Sequence, residues 1–408
     1  MQETTKVMLK RTLLHLLFYL LPPVFLSAVF QADAQVFRQA DSVIPGAERM
    51  EEYLPLLKGK KTGILTNHTG RIGNTHLVDT LLARGVDVQA VFAPEHGFRG
   101  DADAGETVRG YRDPRTGISV VSIYGAHKKP KQEEIRKLDV VLFDIQDVGL
   151  RFYTYLSSMH YMMEACAEAG VPMIVLDRPN PNGMYVDGPV LDMTLRSFVG
   201  MHPIPVVHGM TLGELARMIH GEGWLEGALR CDLHVIPCVN YTRRTRYVLP
   251  ERPSPNLPNM RSIYLYPSLC PFEGSVVSLG RGTDFPFQVY GHPKLPDNGF
   301  SFMPQAGPGA LNPPWKGQRC YGRDLRTDPS DEAVISNGLD LSYLISAYRM
   351  LGMGEQFFNP MFDKLLGVRY VRQMIVAGES AGSIKARWRG DVERFKESRR
   401  AYLLYGKE

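Results

Sequence analysis

The stretch Val140-Val-Leu-Phe-Asp-Ile-Gln-Asp-Val-Gly-Leu-Arg-Phe-Tyr-Thr-Tyr155 joins an apolar run to a dense group of polar and aromatic side chains. Its first part, 140–143, is typical of a buried strand. Its second part brings together Asp144, Gln146, Asp147, Arg151, Tyr153 and Tyr155. Open α/β sheets place ligand sites at the carboxyl ends of their strands, so the stretch predicts a sheet and a site. The competing interpretation is an Asp–Arg pair closing a turn, with the tyrosines in the core.

Strand and helix patterns alternate on both sides of this stretch. Strands are predicted over 59–67, 88–93, 118–124, 140–146, 171–177 and 231–238. Helices are predicted over 76–84, 131–138 and 154–169, and after the capping box Thr211-Leu-Gly-Glu214. Short strands alternating with helices predict an α/β fold with a Rossmann-like, mainly parallel sheet and helices on both faces.

The pattern changes near residue 240. Prolines crowd in with aromatic residues between them, and the strand–helix alternation stops. We therefore predict a Rossmann-like domain over 35–240 and a second domain over 241–408. The second domain should carry helices over 339–351, 362–376 and 380–405.

Residues 1–34 predict a secretory signal peptide. Lys6, Lys10 and Arg11 precede an apolar stretch, and Ala32-Asp-Ala34 is a typical cleavage pattern. The alternative is a membrane anchor, but the pair Pro22-Pro23 interrupts the apolar stretch. No cysteine lies near the cleavage point, so a lipid anchor is not expected there, and no membrane association is expected after cleavage.

Composition excludes several classes of protein. The chain has 408 residues, 44% apolar and 22% charged, and its net charge of +4 is spread along the chain, which gives no indication of nucleic-acid binding. The five cysteines are widely spaced without a CxxC pair, so neither a zinc site nor a disulfide framework is supported.

No cofactor motif is present. There is no Walker loop, no GxGxxG after the first strand and no G-x-S-x-G elbow, which argues against a dinucleotide cofactor and an α/β-hydrolase. Metal ligands can be imagined among His68, His96, Asp101, Asp103 and Asp144. However, Asp101-Ala-Asp-Ala-Gly-Glu106 lacks part of the oxygen ligand set of a calcium loop. We predict neither a metal nor another cofactor.

With these motifs absent, catalysis by carboxylate side chains is the chemistry that the sequence favours. Four predicted strands end in polar clusters. Parallel strands bring such ends to one edge of the sheet. The clusters are Asn67-His68, Glu95-His96, Asp144 to Asp147, and Asp177-Arg178. A glutamate partly removed from water can act as a general acid, and Glu95 is the candidate. Glycoside hydrolysis needs a second group as well, for which Asp144, Asp147, Glu273 or a tyrosine qualifies. The alternative for Glu95 is a structural turn carboxylate.

One motif in the C-terminal part has two interpretations. Gly280-Arg-Gly-Thr283 forms either an ordinary turn or a clamp in which Arg281 binds a sugar or a carboxylate.

Several long motifs, in this order, resemble the NamZ family of exo-β-N-acetylmuramidases from about residue 45 to the C-terminus. They are Leu65-Thr-Asn-His-Thr-Gly70, Pro94-Glu-His-Gly-Phe-Arg-Gly-Asp-Ala-Asp-Ala-Gly-Glu106, Phe143 to Tyr155, Leu176-Asp-Arg-Pro-Asn-Pro181, and Phe272-Glu-Gly274 with Gly280 to Thr283. The resemblance implies a Rossmann-like domain and a smaller α+β C-terminal domain, with the active site in the cleft between them.

The resemblance also implies the activity, which is release of N-acetylmuramic acid from the non-reducing ends of peptidoglycan fragments. Glu95 would be the first catalytic candidate, with Asp144, Asp147 and Tyr153 as further candidates. The expected substrate-binding residues are Asn67, His68, His96, Gln146, Arg151, Tyr155, Arg178, Glu273, Arg281 and Thr283. From its charge, we expect Arg281 to meet the lactyl carboxylate that distinguishes muramic acid from glucosamine.

Two further hypotheses stay open at this point. The chain could be a non-catalytic periplasmic protein that binds muropeptides, or a metal-dependent hydrolase of acyl or phosphoryl groups. The predicted export signal agrees with a peptidoglycan substrate, because peptidoglycan lies outside the cytoplasmic membrane, and it predicts a periplasmic location.

Overall fold

Fourteen strands occur in the described part of the chain. A computed structural model describes residues 42–95, 97–99 and 110–406. The strands are β1 Thr62–Thr66, β2 Arg71–Ile72, β3 Thr75–His76, β4 Val88–Ala93, β5 Tyr111–Arg112, β6 Ser119–Ser122, β7 Val140–Asp144, β8 Met173–Leu176, β9 Asp187–Val190, β10 Pro205–Val207, β11 Leu233–Ile236, β12 Val289–His292, β13 Ser301–Phe302 and β14 Cys320–Asp324.

Eleven α-helices accompany them within the same residues. They are α1 Met50–Leu57, α2 Leu77–Ala83, α3 Gln132–Ile135, α4 Tyr155–Ala169, α5 Leu212–Gly221, α6 Met260–Leu269, α7 Asp331–Asn337, α8 Ser342–Leu351, α9 Met361–Leu366, α10 Tyr370–Val376 and α11 Ala381–Arg399. No described helix combines the length and apolar character that a membrane span requires.

Seven strands form one sheet in the order β11-β8-β7-β1-β4-β6-β5. Every neighbouring pair is parallel except β5 with β6, which is antiparallel. The predicted mainly parallel α/β sheet is therefore confirmed. Because β8, β7, β1 and β4 are consecutive and parallel, the four polar strand ends in the sequence come to the same edge.

Side chains alternate between two cores, one on each face of the sheet. Leu65 and Phe143 pack in one core with Met159 of α4, whereas Ile64 and Leu142 pack in the other. The second core also contains Tyr53 of α1 and Leu81 of α2. Since successive strand residues point to opposite faces, this separation confirms helices on both faces.

The stretch from 140 to 155 forms β7, an irregular loop and the start of α4. Gly149 in the loop has a φ of 81°, a conformation that glycine adopts readily. A Cβ at this position would lie 2.0 Å from Oδ1 of Asn180, so the loop packs directly against the segment after β8. The strand-end loops are thus tightly packed together.

The C-terminal part is smaller and has the predicted α+β character. A three-stranded antiparallel sheet, in the order β12-β14-β13, lies among α6 to α11. The single helix predicted over 362–376 is wrong, because α9 ends at Gly367, which has a φ of 74°. A Cβ there would lie 2.5 Å from Nη2 of Arg151, so only glycine fits. Helix α6 was not predicted, since its Pro267 resembles the surrounding proline-rich loops.

Candidate active site

A cavity of about 350 Å³ opens at the carboxyl edge of the large sheet. The loops after β4, β6 and β7 contribute Glu95, Tyr124 and Tyr153 to its wall, and the C-terminal part contributes Glu273 and Arg281. Four of the residues predicted from the sequence therefore line one cavity. They include two carboxylates, which is the minimum that most glycoside hydrolases use.

Two hydroxyl groups orient the Glu95 carboxylate. The Tyr124 hydroxyl donates to Oε1 at 2.9 Å, and the Thr154 hydroxyl donates to Oε2 at 3.0 Å. Burial and the charge of Glu95 raise the pKa of Tyr124, so its proton stays available for this bond. The carboxyl group is thus held in one orientation at the cavity wall, as a group that exchanges a proton with a substrate must be.

Aromatic side chains form another wall of the cavity. Tyr153 and Tyr266 have ring centroids 6.1 Å apart, and Phe152 packs edge-on against Tyr266 at 5.5 Å. The Tyr153 hydroxyl donates to the carbonyl of Pro253 at 2.8 Å, and Tyr155 shares this acceptor at 3.4 Å. Burial raises the pKa of both Tyr153 and Tyr155, which favours neutral hydroxyls over a phenolate nucleophile.

Arg281 and Glu273 form an ion pair in the cavity wall. Nε and Nη2 of Arg281 both donate to Oε1 of Glu273, at 2.9 and 2.7 Å. Burial alone would lower the pKa of Arg281, but the Glu273 charge raises it overall. The Arg281 guanidinium also lies 5.0 Å from the ring centroid of Phe287. Glu273 is therefore a carboxylate whose position is set by a neighbouring cation.

The motif Gly280-Arg-Gly-Thr283 is a turn, and it places Arg281 in the cavity. Gly280 and Gly282 have φ values of 73° and 78°, and a Cβ on Gly282 would lie 2.2 Å from the carbonyl oxygen of Gln305. Thr283 closes the turn by donating to the Gly280 carbonyl at 2.6 Å. Thr283 supports the turn and is not among the residues that line the cavity.

Asp144 and Arg178 form a buried ion pair outside the cavity lining. Nε of Arg178 lies 2.6 Å from Oδ1 of Asp144, and Nη2 lies 2.9 Å from Oδ2. Burial raises the pKa of Asp144, although the Arg178 charge opposes this rise. Nη2 of Arg178 also donates to the carbonyl of Arg71 at 2.8 Å. The pair connects the ends of β7 and β8 with strand β2.

Three other predicted residues organise the same strand ends. The Asn67 side chain accepts from the backbone and hydroxyl of Thr69, and the Gln146 amide donates to the carbonyls of Asp147 and Pro179. Oδ1 of Asp147 accepts from the Gly149 backbone at 2.6 Å. Burial raises the pKa of Asp147 to about 7. These bonds hold the backbone of the strand-end loops in place.

Arg151 and His68 also lie outside the cavity lining. Arg151 is 1% exposed and donates to the carbonyls of Pro189, Ile204 and Leu365 at 2.8 to 3.0 Å. Burial lowers its pKa to about 9. His68 lies in a separate polar groove, where its Nε2 contacts the carbonyl oxygen of Arg252 at 2.9 Å.

His96, Asp101 and Asp103 fall outside the described residues. Among the residues that the structure does describe, no group of three or more His, Cys, Asp or Glu side chains is arranged to hold a metal ion.

Sequence reasoning missed several residues of the cavity wall. Tyr124 is the last residue of the strand predicted over 118–124, and Thr154 lies in the opening stretch, so the positions of both offered a signal. Phe198 and Ser254 come from loops without a recognisable pattern, and Met361 is the first residue of α9. Only tertiary structure brings these three to the site.

Comparison with known proteins agrees with this fold. Residues 62–261 match a family model described as the N-terminal part of exo-β-N-acetylmuramidase NamZ, and residues 264–405 match the model of its C-terminal part. A protein of Bacillus subtilis (strain 168), named peptidoglycan β-N-acetylmuramidase NamZ, is 36% identical over 387 residues, which cover 87% of this chain and 89% of that protein.

Two crystal structures from Bacteroides fragilis NCTC 9343 share the architecture. One DUF1343 family protein is 53% identical with a TM-score of 0.84, and it covers 90% of this chain and 100% of its own. A second is 27% identical with a TM-score of 0.76 and the same coverage. These family matches identify a glycoside hydrolase. The chain belongs to the NamZ family of exo-β-N-acetylmuramidases.

Proposed function

We propose that this protein releases N-acetylmuramic acid from the non-reducing ends of peptidoglycan fragments and that Glu95 is the general acid. The observation that carries the proposal is the Glu95 carboxyl group, held at the cavity by Tyr124 and Thr154. A glycosidic oxygen must receive a proton as its bond breaks, and a positioned carboxylic acid supplies it.

Glu273 is the best candidate for the second catalytic group. Of the four groups considered for this role, only Glu273 and Tyr153 line the cavity, and the raised pKa of Tyr153 disfavours a phenolate. Asp144 is engaged by Arg178 on both oxygens. Glu273 would then act as the base or the nucleophile on the other side of the sugar, with Arg281 holding its carboxylate.

The size of the cavity suits an exo-acting enzyme. At about 350 Å³ it lies near the lower end of the range of small-ligand sites. Such a cavity accommodates a terminal sugar better than an internal stretch of a long glycan. MurNAc-terminated glycans and muropeptides are therefore the substrates we propose, and release of the free sugar would serve cell wall recycling.

We also propose that residues 1–34 direct export and are removed. The basic start, the apolar stretch and the Ala32-Asp-Ala34 pattern support this proposal, and the mature protein would then act in the periplasm.

The function is tested with Glu95→Gln on a chromogenic β-N-acetylmuramide. Gln keeps the size of the side chain but cannot donate a carboxyl proton, so we expect kcat to fall by about 100-fold or more while the fold is retained. Glu133→Gln, at an exposed position of α3, is the matched control and should retain full activity. Equal turnover by Glu95→Gln and Glu133→Gln would show that Glu95 is not the general acid. Binding of a muropeptide by wild-type protein without any product would favour the non-catalytic alternative.

A further inference from the structure

Arg281 is a poor receptor for a carboxylate on the substrate. Two of its donors are already directed at one oxygen of Glu273, and the pair is only partly exposed, at 22% and 31% for the two side chains. An incoming carboxylate would meet a guanidinium whose charge is balanced, and it would also approach Glu273, which has the same sign. Another cation beside the cavity would bind an anionic substituent without this competition.

Lys128 is such a cation. Its Nζ lies 4.8 Å from the ring centroid of Phe198, and Phe198 lines the cavity. Within the described ranges, Lys128 has no carboxylate at ion-pair distance, whereas its neighbour Lys129 is bound by Glu164 at 3.2 Å and by Glu168 at 2.5 Å. Lys128 is also half-buried, so its charge is less screened than that of a fully exposed lysine.

The Phe198 ring that supports Lys128 is itself fixed. It stacks on Tyr161, with ring centroids 6.3 Å apart and planes inclined by 13°. The hydroxyl of Ser157 donates to the Phe198 carbonyl at 2.7 Å. The cation–π contact therefore holds the Lys128 ammonium against a rigid surface and does not use up its hydrogen-bond donors.

Lys128 is not itself among the residues that line the cavity, but a series of contacts connects it with the proposed acid. Phe198 contacts Tyr124, with ring centroids 6.4 Å apart, and Tyr124 donates to Glu95. A continuous series of contacts thus runs from the Glu95 carboxyl group through Tyr124 and Phe198 to the Lys128 ammonium. A substituent of a bound sugar that extends past Phe198 would meet this ammonium group.

We propose that Lys128 binds a carboxylate of the substrate and is a specificity-determining residue; this inference rests on the proposed function. The carboxylate has two possible sources. It is the lactyl group of N-acetylmuramic acid where that group is free, or an acidic residue of the stem peptide where the lactyl group is amide-linked. In this proposal Arg281 positions Glu273, and Lys128 instead of Arg281 binds the carboxylate of the substrate.

The test uses full-length mature protein and three chromogenic β-muramides. One has a free lactyl carboxylate, one has the neutral lactyl methylamide, and one carries L-Ala-D-Glu on the lactyl group. For Lys128→Met we expect KM for a carboxylate-bearing substrate to rise about tenfold with kcat within about twofold, since a remote contact contributes to ground-state and transition-state binding alike. The methylamide should be hydrolysed equally well by the variant and the wild type.

The three substrates distinguish the two sources of the carboxylate. A loss confined to the free muramide assigns Lys128 to the lactyl group, and a loss confined to the dipeptide conjugate assigns it to the stem peptide. Lys128→Arg should restore KM, because it retains the charge. Lys137→Met is the control, because it removes the same charge from an exposed position after α3.

Two results would overturn the inference. One is an unchanged KM on both charged substrates, and the other is an equal loss on the neutral methylamide. Failure of the proposed function would look different, because wild-type protein would then turn over none of the three substrates. In that case, calorimetry with free N-acetylmuramic acid and with its L-Ala-D-Glu conjugate decides. Lys128→Met must weaken the binding of one of these ligands about tenfold, and equal or absent binding of both ligands to the two proteins rejects the role of Lys128.

Discussion

Two carboxylates at the same edge of the sheet, Asp144 and Glu95, have contrasting surroundings. Asp144 is fully buried, and its two carboxylate oxygens accept hydrogen bonds from Nε and Nη2 of Arg178. Glu95 borders the cavity, and the hydroxyls of Tyr124 and Thr154 donate to it. A carboxylate neutralised by a buried cation stabilises the strand ends, whereas one held by hydroxyl groups at a cavity can exchange a proton with a ligand.

The contact between Tyr124 and Glu95 gives a prediction at the residue scale. Tyr124→Phe removes the hydroxyl donor but keeps the ring against Phe198. Hydrogen bonds to charged groups contribute about 1.5–3 kcal/mol, so we expect kcat to fall about tenfold or more with an unchanged melting temperature. Tyr348→Phe, in the aromatic cluster with Phe357, is the control for loss of a tyrosine hydroxyl. Full activity of Tyr124→Phe would show that this bond does not orient the acid.

Asp147 gives a prediction on pH dependence. Burial raises its pKa from an ordinary value of 3.8 to about 7. Between these two values the folded protein keeps a proton that the unfolded chain releases, so the contribution of Asp147 to the free energy of unfolding decreases as pH rises. Asp147→Asn removes this titration and keeps an oxygen for the Gly149 backbone donor.

The measurement is urea unfolding of wild type and Asp147→Asn at pH 4.5 and 7.5. Relative to wild type, the variant should gain about 3 kcal/mol of unfolding free energy between the lower and the higher pH. Asp297→Asn is the matched control, because Asp297 accepts from the backbone two residues later at an exposed position. The same difference between variant and wild type at both pH values would mean that Asp147 is ionised in the folded protein throughout this range.

At the level of elements, the sequence predicted six of the seven strands of the large sheet and most helices of the first half, but not β5 or α1. Strand β4 has the predicted bounds, and α4 ends at Gly170, which adopts the left-handed conformation expected of a helix stop. Hydrophobic periodicity dominates there because each element has one clear buried side. The break between α9 and α10 was not predictable, since Gly367 is required by its contact with Arg151, which is 216 residues earlier in the chain.

The segment that contains Leu404 and Tyr405 is hydrogen-bonded to residues at the edge of the large sheet. The Tyr405 hydroxyl donates to Oδ2 of Asp177 at 2.5 Å and accepts from the backbone of Cys238 at 2.8 Å. The Leu404 backbone donates to Glu214 at 2.7 Å. These contacts tie the end of the chain to the ends of β8 and β11 and to the start of α5.

Because of these hydrogen bonds, we predict that Tyr405→Phe lowers the stability of the protein. The change leaves the buried Cys238 backbone donor without its partner and removes one of the two hydroxyl donors to Oδ2 of Asp177, since Thr211 still donates to that oxygen. We expect the free energy of unfolding to fall by about 1–3 kcal/mol, measured by urea denaturation. Tyr402→Phe, whose hydroxyl contacts Glu222 at an exposed position, should change it by less than about 0.5 kcal/mol. An equal change in the free energy of unfolding for the two variants would contradict a stabilising role of the Tyr405 hydrogen bonds.

At the scale of the whole molecule, the sequence predicted the edge that carries the site better than the residues that line it. Polar residues at strand ends are equally expected for buried ion pairs and for ligand sites, so Asp144 and Arg178 could not be separated from Glu95. Phe198 reaches the cavity from a distant loop and Met361 from the start of α9, and no local sequence pattern reveals either position. The predicted boundary near residue 240 stays a prediction, and the described chain from Ile44 onward clusters as one compact unit.

The central claim is that this cavity hydrolyses β-linked N-acetylmuramic acid. The most direct measurement is incubation of residues 35–408 with para-nitrophenyl β-N-acetylmuramide and, separately, with the corresponding glucosaminide. We expect rapid release of nitrophenol from the muramide and little from the glucosaminide, because the two sugars differ only in the lactyl group. Release from neither substrate, with clear binding of a muropeptide, would contradict the account and identify the protein as a binding module.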